Sequence, residues 1–419
     1  MEEYWVMSLG GSGEDARSCF LVRLGQRLVL LDCGVRRELE AGQERIYPAL
    51  TPQIATSLDG VFLSHAHEDH VAALPYLAEL GYRGPVYATI QTIQMVKGFM
   101  NKWIRFVKAG GGTLPFRKEN VDLLDFCPVE LGSQNWKGIS LTLGRSGHML
   151  GNIWIHFNVG GKTLLYTGDM TFDGQLLAAD LPPQADTAIL ECAYAGRELC
   201  QQTQYKTLLQ SVKATVAAGG RVLLPVPPNG RGCDILLYLG QTLENVPIWA
   251  EKDVLCQADA LLKEQQWLHQ GKDWGWAKNL PVHSLSSDEQ REQALVEGGV
   301  ILTPDGMLTS KAALFYYERM KSCPADQIII TGHTSKGVMG SLIFKEDYRV
   351  KNRVAVQAKR VTIKAHQDEE DALRLAKQLG AKQAMLFHTA QESCGPLLQK
   401  LAAAGISGVC RRSPGRLDF

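Results

Sequence analysis

Apolar residues recur along this chain with two periods, and each change of period marks an element. Short apolar runs parted by glycine-bearing turns predict a strand meander over residues 4–9, 18–22 and 28–32. Further runs predict strands at 61–63, 84–89, 139–143, 152–159, 163–167 and 187–191, and helical spacing predicts helices over 71–80 and 89–108. Strands with interposed helices describe an α/β body. Past Glu191 the texture changes. An amphipathic helix over 201–218 leads into a fresh βα unit, strand 221–226 and helix 233–242, and strands at 299–303 and 327–331 repeat the theme. Short strands at 353–357 and 360–364, then helices at 368–379 and 395–404, read as a return to the first body. The expected domains are 1–195, 196–352 as an insertion, and 353–419.

At 419 residues the chain exceeds what one core usually organises, which agrees with this division. Its 44 basic and 44 acidic residues cancel, so any polyanion must be held by local patches rather than a global field. Ten cysteines without a C-x-x-C pair, and a start lacking a basic leader, predict a reducing cytoplasm. No apolar run reaches the roughly eighteen residues that cross a membrane.

The polar residues that interrupt the pattern carry the chemistry. Behind the run at 61–63 stand His65, His67, Asp69 and His70. His65 and His67 lie two apart and project to one side of an extended segment, while the turn that follows swings Asp69 and His70 toward a second position. The spacing suits two adjacent cations. His148 sits between small residues, and Asp169 ends an apolar strand, where each carboxylate oxygen is available to one of two metals. His366 and His388 also follow apolar runs, unlike His156, His269, His283 and His333. Imidazole-rich ligands favour zinc, whereas manganese prefers oxygen donors.

The set Asp32, His65, His67, Asp69, His70, His148 and Asp169 resembles the metallo-β-lactamase superfamily in order and context. Residues 190–196, 221–231 and 303–308, with His366 and His388, are similar to its β-CASP nucleases, and the likeness spans nearly the whole chain. The resemblance implies an αββα sandwich with an inserted α/β cap. By that resemblance His65, His67, His148 and Asp169 hold one zinc, and Asp69, His70, Asp169 and His388 hold the other. Asp32 supports the ligands from behind, and Glu191 and His366 match the family's paired acid residues. A histidine at His388 is the form of RNA-processing members, the DNA-repair branch typically having valine. After Glu191 and after His388 the neighbouring residues depart from the family pattern, which bears on substrate fit more than on catalysis.

The function expected is a zinc-dependent ribonuclease, endonucleolytic or 5′-3′ exonucleolytic, in which two metals activate a hydroxide for attack on phosphorus. Asp69, Glu191 and His366 form the catalytic set, His366 protonating the departing ribose oxygen. Single-stranded RNA is the expected partner, with a homodimer as a further expectation. Arg231 and the basic run 345–364, including Lys359, Arg360 and Lys364, are candidate phosphate contacts. A hydrolase of a small ester, thioester or cyclic nucleotide is the alternative, disfavoured by the long insertion and the Glu191–His366 pair. A silent RNA-binding scaffold is a third reading, disfavoured because every ligand position is filled.

Overall fold

The computed structural model describes residues 3–37, 46–412 and 415–419. They form two compact units, Met1–Phe172 with Ala179–Glu198 and His366–Phe419, and Asp173–Ala178 with Leu199–Ala365.

The first unit holds two seven-stranded sheets. One runs in the order Arg416–Asp418, Glu3–Gly10, Cys19–Gly25, Arg27–Leu31, Gly60–Phe62, Pro85–Ala88 and Asp125–Pro128. The other runs Ser407–Val409, Gln383–Phe387, Thr187–Glu191, Lys162–Tyr166, Ile153–Val159, Ile139–Arg145 and Gly132–Trp136. Their inner faces meet through aromatic side chains. Phe20 lies 5.6 Å from Tyr166 and 5.2 Å from Phe387, and Phe62 lies 5.6 Å from Phe157, ring centre to ring centre. Outside the first sheet pack Leu74, Leu77, Val96, Met100 and Trp103, and outside the second Ala372, Leu375, Leu397 and Leu401. The result is a helix, sheet, sheet, helix sandwich. Arg27–Leu31 and Gly60–Phe62 are buried on both faces, which is why their apolar residues run on instead of alternating.

The helix expected over 71–80 is two pieces, Glu68–Val71 and Leu74–Glu79. Pro75 has no N–H and is tolerated only in a first turn, so a new helix begins there. The helix expected over 89–108 is Ile90–Ala109, opened by the Thr89 hydroxyl accepting from Thr92 N.

The second unit is one parallel sheet in the order Val282–Leu285, Ile248–Glu251, Gly299–Pro304, Arg221–Val226, Gln327–Ile330 and Gln357–Arg360. Gln357–Arg360 stands where two short strands were expected, and it pairs with Gln327–Ile330. Val354 and Val356 are buried in this unit's core, so the return expected at 353 comes at His366.

A disulfide joins Cys394 and Cys410, 16 residues apart, and the other eight cysteines are free. The sequence reading did not foresee it, because helix Gly395–Ala403 and strand Ser407–Val409 are what bring the two thiols together. Among the described residues no helix is long and apolar enough to cross a membrane.

Candidate metal centre

Arg27–Leu31 and Gly60–Phe62 are parallel neighbours, and so are Lys162–Tyr166, Thr187–Glu191 and Gln383–Phe387. Parallel neighbours end at the same edge, so the residues just past them gather there. These are Asp32, His65 to His70, Asp169, Glu191 and His388. Asp32 and His388 both take left-handed backbone conformations, with φ of 55° and 64°. For residues other than glycine this costs about 1–3 kcal/mol and persists only where the surroundings hold it. His388 is held by its N–H donating to Gly11 O at 3.1 Å. Gly34 is required by close approach, since a Cβ there would lie 1.6 Å from Asp69 O.

Two groups of donor atoms result, each lying within 4.8 Å of one another. The first comprises His65, His67, His148 and Asp169, and the second Asp69, His70 and His388. His67 Nδ1 is 3.1 Å from His65 Nε2 and 3.2 Å from His148 Nε2, and Asp169 Oδ2 is 3.7 Å from the latter two nitrogens. In the second group Asp69 Oδ2 is 3.1 Å from His388 Nε2 and 3.7 Å from His70 Nε2. Asp169 also reaches this group, with Oδ1 3.2 Å from His70 Nε2 and Oδ2 3.6 Å from His388 Nε2. Three imidazole nitrogens directed at one another beside a carboxylate are poorly satisfied by shared protons alone. A divalent cation fits that donor set.

The electrostatics agree. Burial, then neighbouring imidazoles, pulls His67 down to about 3 and His65 well below its ordinary range, which keeps both rings neutral and able to donate lone pairs. Burial also opposes charge on His388, but Asp169 and Asp69 outweigh it and raise the group to about 10. Glu191 is pushed up to about 8 by burial and then by Asp169.

Behind the ligands Asp32 is fully buried and accepts four hydrogen bonds. Ser64 N donates to Oδ1 at 2.7 Å, while Ser64 Oγ at 2.6 Å, His70 Nδ1 at 2.7 Å and the Tyr166 hydroxyl donate to Oδ2. A carboxylate acceptor fixes the proton on His70 Nδ1 and leaves Nε2 for the site. Glu191 Oε1 accepts from Ala193 N at 2.6 Å, and Oε2 from Gln367 N at 2.9 Å. Its Oε1 lies 3.3 Å from His366 Nδ1. His366 Nδ1 also lies 3.7 Å from Asp169 Oδ2, and with Asp169 and His388 it makes a third donor group. Sequence reasoning missed Ser64, Tyr166, and Asn152, whose Nδ2 donates to Asp169 O at 2.7 Å. Only the adjacency of Ser64 to His65 and of Tyr166 to Asp169 was there to hint at them.

The basic run reads differently in three dimensions. Lys364 is buried and pairs with Asp173 at 2.8 Å, and Lys359 Nζ donates to Ser211 Oγ at 3.1 Å. Arg360 donates to Gly332 O and to Thr334 Oγ1. All three are therefore engaged inside the second unit. Lys364 in particular is a structural ion pair, because burying its ammonium requires a carboxylate beside it.

An αββα sandwich with converging imidazoles and carboxylates at one sheet edge defines a divalent-metal protein of hydrolase architecture. Residues 12–194 match the metallo-β-lactamase superfamily, so this part of the chain is a metallo-β-lactamase domain. Similar proteins include the Transcription termination factor FttA of Methanothermobacter thermautotrophicus, 29% identical over 81% of this chain and 58% of that protein. The chain thus spans about 58% of that relative's length. Ribonuclease TTHA0252 of Thermus thermophilus is 28% identical over 81% of each chain. An RNase J-like protein of Methanocaldococcus jannaschii is 26% identical over 88% of each. These relatives are consistent with the β-CASP RNA-processing branch. A crystal structure of an Enterococcus faecalis V583 protein of unknown function shares the fold over the whole of both chains, with a TM-score of 0.60 at 13% identity.

Proposed function

We propose that this chain is a zinc-dependent ribonuclease that hydrolyses phosphodiester bonds of single-stranded RNA, with its second unit as the β-CASP cap. The observation that carries the reading is the convergence of His65, His67, Asp69, His70, His148, Asp169 and His388, drawn from distant stretches, into two donor groups that share Asp169. Ribonuclease names among relatives matched over most of their length support RNA as the substrate. In this reading His65, His67, His148 and Asp169 hold one cation, and Asp69, His70, His388 and Asp169 hold the other. Bound there, the cations supply Lewis acidity and acidify a water near neutral pH. The protein's own contribution is orientation and proton delivery. Asp32 holds His70 through Nδ1, and Glu191 steers His366, the proton donor to the leaving ribose oxygen. A cytoplasmic setting and a homodimer belong to the same proposal, the latter read by analytical ultracentrifugation.

The test is elemental metal content followed by incubation with 5′-labelled single-stranded RNA. Asp69→Ala and His388→Ala should abolish cleavage, while His366→Ala should slow it and keep its metal. Activity confined to small esters would support the alternative hydrolase, and metal-loaded silence would support a scaffold.

A further inference from the structure

In the second unit two guanidinium groups meet at Gly332, just past strand Gln327–Ile330. Arg360, at the end of the neighbouring strand, donates from Nη1 to the Gly332 carbonyl and from Nη2 to Thr334 Oγ1 at 3.1 Å. Its guanidinium lies 5.0 Å from the ring centre of Phe344, which is 38% exposed. Arg231 packs against the same glycine. A Cβ there would lie 2.3 to 2.5 Å from its Nη1, Nη2 and Cζ, so only glycine admits this approach.

Arg231 has no counter-charge. Among the described residues its guanidinium makes no hydrogen bond or ion pair, and its Nε is buried without a partner. Asp234, one turn further on, has its oxygens engaged by Gln175 N at 2.8 Å and Leu176 N at 3.1 Å. Arg231 also opens helix Arg231–Thr242, and the N-cap Gly230 has no side chain to satisfy the first N–H groups. The positive end of the helix dipole therefore adds to the guanidinium. Thr303 and Thr331, both fully buried at the ends of the two strands that flank Arg221–Val226, leave hydroxyls without hydrogen-bond partners. The strand after Arg221–Val226 is placed to one side of the sheet and the strand after Gln327–Ile330 to the other. In parallel sheets such a reversal opens a crevice at the carboxyl edge where ligands bind.

We infer that Arg231 and Arg360, meeting at Gly332, form an anion subsite that holds a backbone phosphodiester of a single-stranded polynucleotide. The planar donors of arginine match phosphate oxygens, and Phe344 offers a face for an adjacent base, which favours a polynucleotide over a free phosphate. The substrate class rests on the ribonuclease reading, whereas the anion subsite rests on the second unit alone.

The test is fluorescence anisotropy of a labelled single-stranded RNA against the full chain, stripped of metal so that nothing is cleaved, across a salt series. Losing one phosphate contact should weaken binding and lower the log–log salt slope by about 0.7 in Arg231→Met. Gly332→Ala, which keeps both arginines but displaces one, should shift binding in the same direction, and Arg231→Lys should retain the slope. An unchanged slope in both Arg231→Met and Gly332→Ala overturns the subsite. Absence of salt-dependent RNA binding by the unaltered chain overturns the substrate class instead. Equal competition by inorganic phosphate and by unlabelled RNA, at matched phosphate concentration, would overturn the polynucleotide assignment and leave a free-phosphate site.

Discussion

Replacing Asp32, which is not itself a candidate ligand but holds His70 from behind, with asparagine changes one atom, yet it should be severe. Asp32 accepts from four donors, and Ser64, His70 and Tyr166, which supply them, are fully buried. If the amide oxygen replaces Oδ2, the new NH2 faces Ser64 N–H, donor against donor. If the oxygen replaces Oδ1, the NH2 faces His70 Nδ1–H, and the ring keeps its hydrogen bond only by moving its proton to Nε2, where a ligand lone pair is needed. Either way at least one bond is broken outright and the others lose the anion that strengthens them, a hydrogen bond to a charged group being worth about 1.5–3 kcal/mol. An overall loss of about 3–5 kcal/mol follows, in line with breaking a buried charged network. Metal affinity should fall about 10- to 100-fold because His70 is no longer oriented. Denaturant unfolding of the metal-stripped chain reads the first quantity, and competition with a chromogenic chelator reads the second. A stability loss under about 1 kcal/mol, together with unchanged affinity, would refute the argument that Asp32 sets the proton on His70.

Other outcomes follow from particular contacts. Gly34→Ala would place a methyl 1.6 Å from Asp69 O and force backbone apart, so a loss of at least about 3 kcal/mol and weaker metal binding are expected; a normal melting temperature counts against this. Reducing the Cys394–Cys410 bond frees a loop of about 16 residues and should cost the first unit about 3 kcal/mol, read by unfolding with and without reductant; equal midpoints refute it. Asp234 supplies a pH dependence. Burial pushes it from its ordinary 3.8 up to about 6, against the pull of the Gln175 and Leu176 N–H groups. Its folded-state proton is therefore held more tightly than in the unfolded chain. That contribution is fully present below about pH 3.8 and is lost as pH rises through about 6. At about 1.4 kcal/mol per pH unit, Asp234→Asn should gain about 3 kcal/mol relative to the unaltered chain between pH 3 and pH 7; a pH-independent difference disproves the burial argument.

The candidate ligands other than His148 stand out in the sequence because they follow apolar strands, and parallel strands of one sheet end at a common edge. His388 was readable for that reason despite lying far from His65 along the chain. What could not be read was the support. Tyr166 looks like any strand aromatic until the two sheets face each other and its hydroxyl reaches Asp32. Within the basic run, local charge density does not reveal that Lys364 is paired with Asp173 or that Lys359 reaches Ser211. The domain return was misplaced because Gln357–Arg360 is a polar edge strand, whose membership is fixed by backbone pairing and not by an apolar signature.

The chain order of the second sheet has a consequence for biosynthesis. Thr187–Glu191 has its parallel neighbour Gln383–Phe387 on the far side of the whole second unit, and the opening strand Glu3–Gly10 pairs with Arg416–Asp418 near the end of the chain. A nascent polypeptide emerging from the ribosome can therefore mature its intervening lobe while the surrounding one still lacks three strands and the imidazoles of His366 and His388. Hydrolytic competence would then wait until Gln383–Phe387 and His388 have emerged.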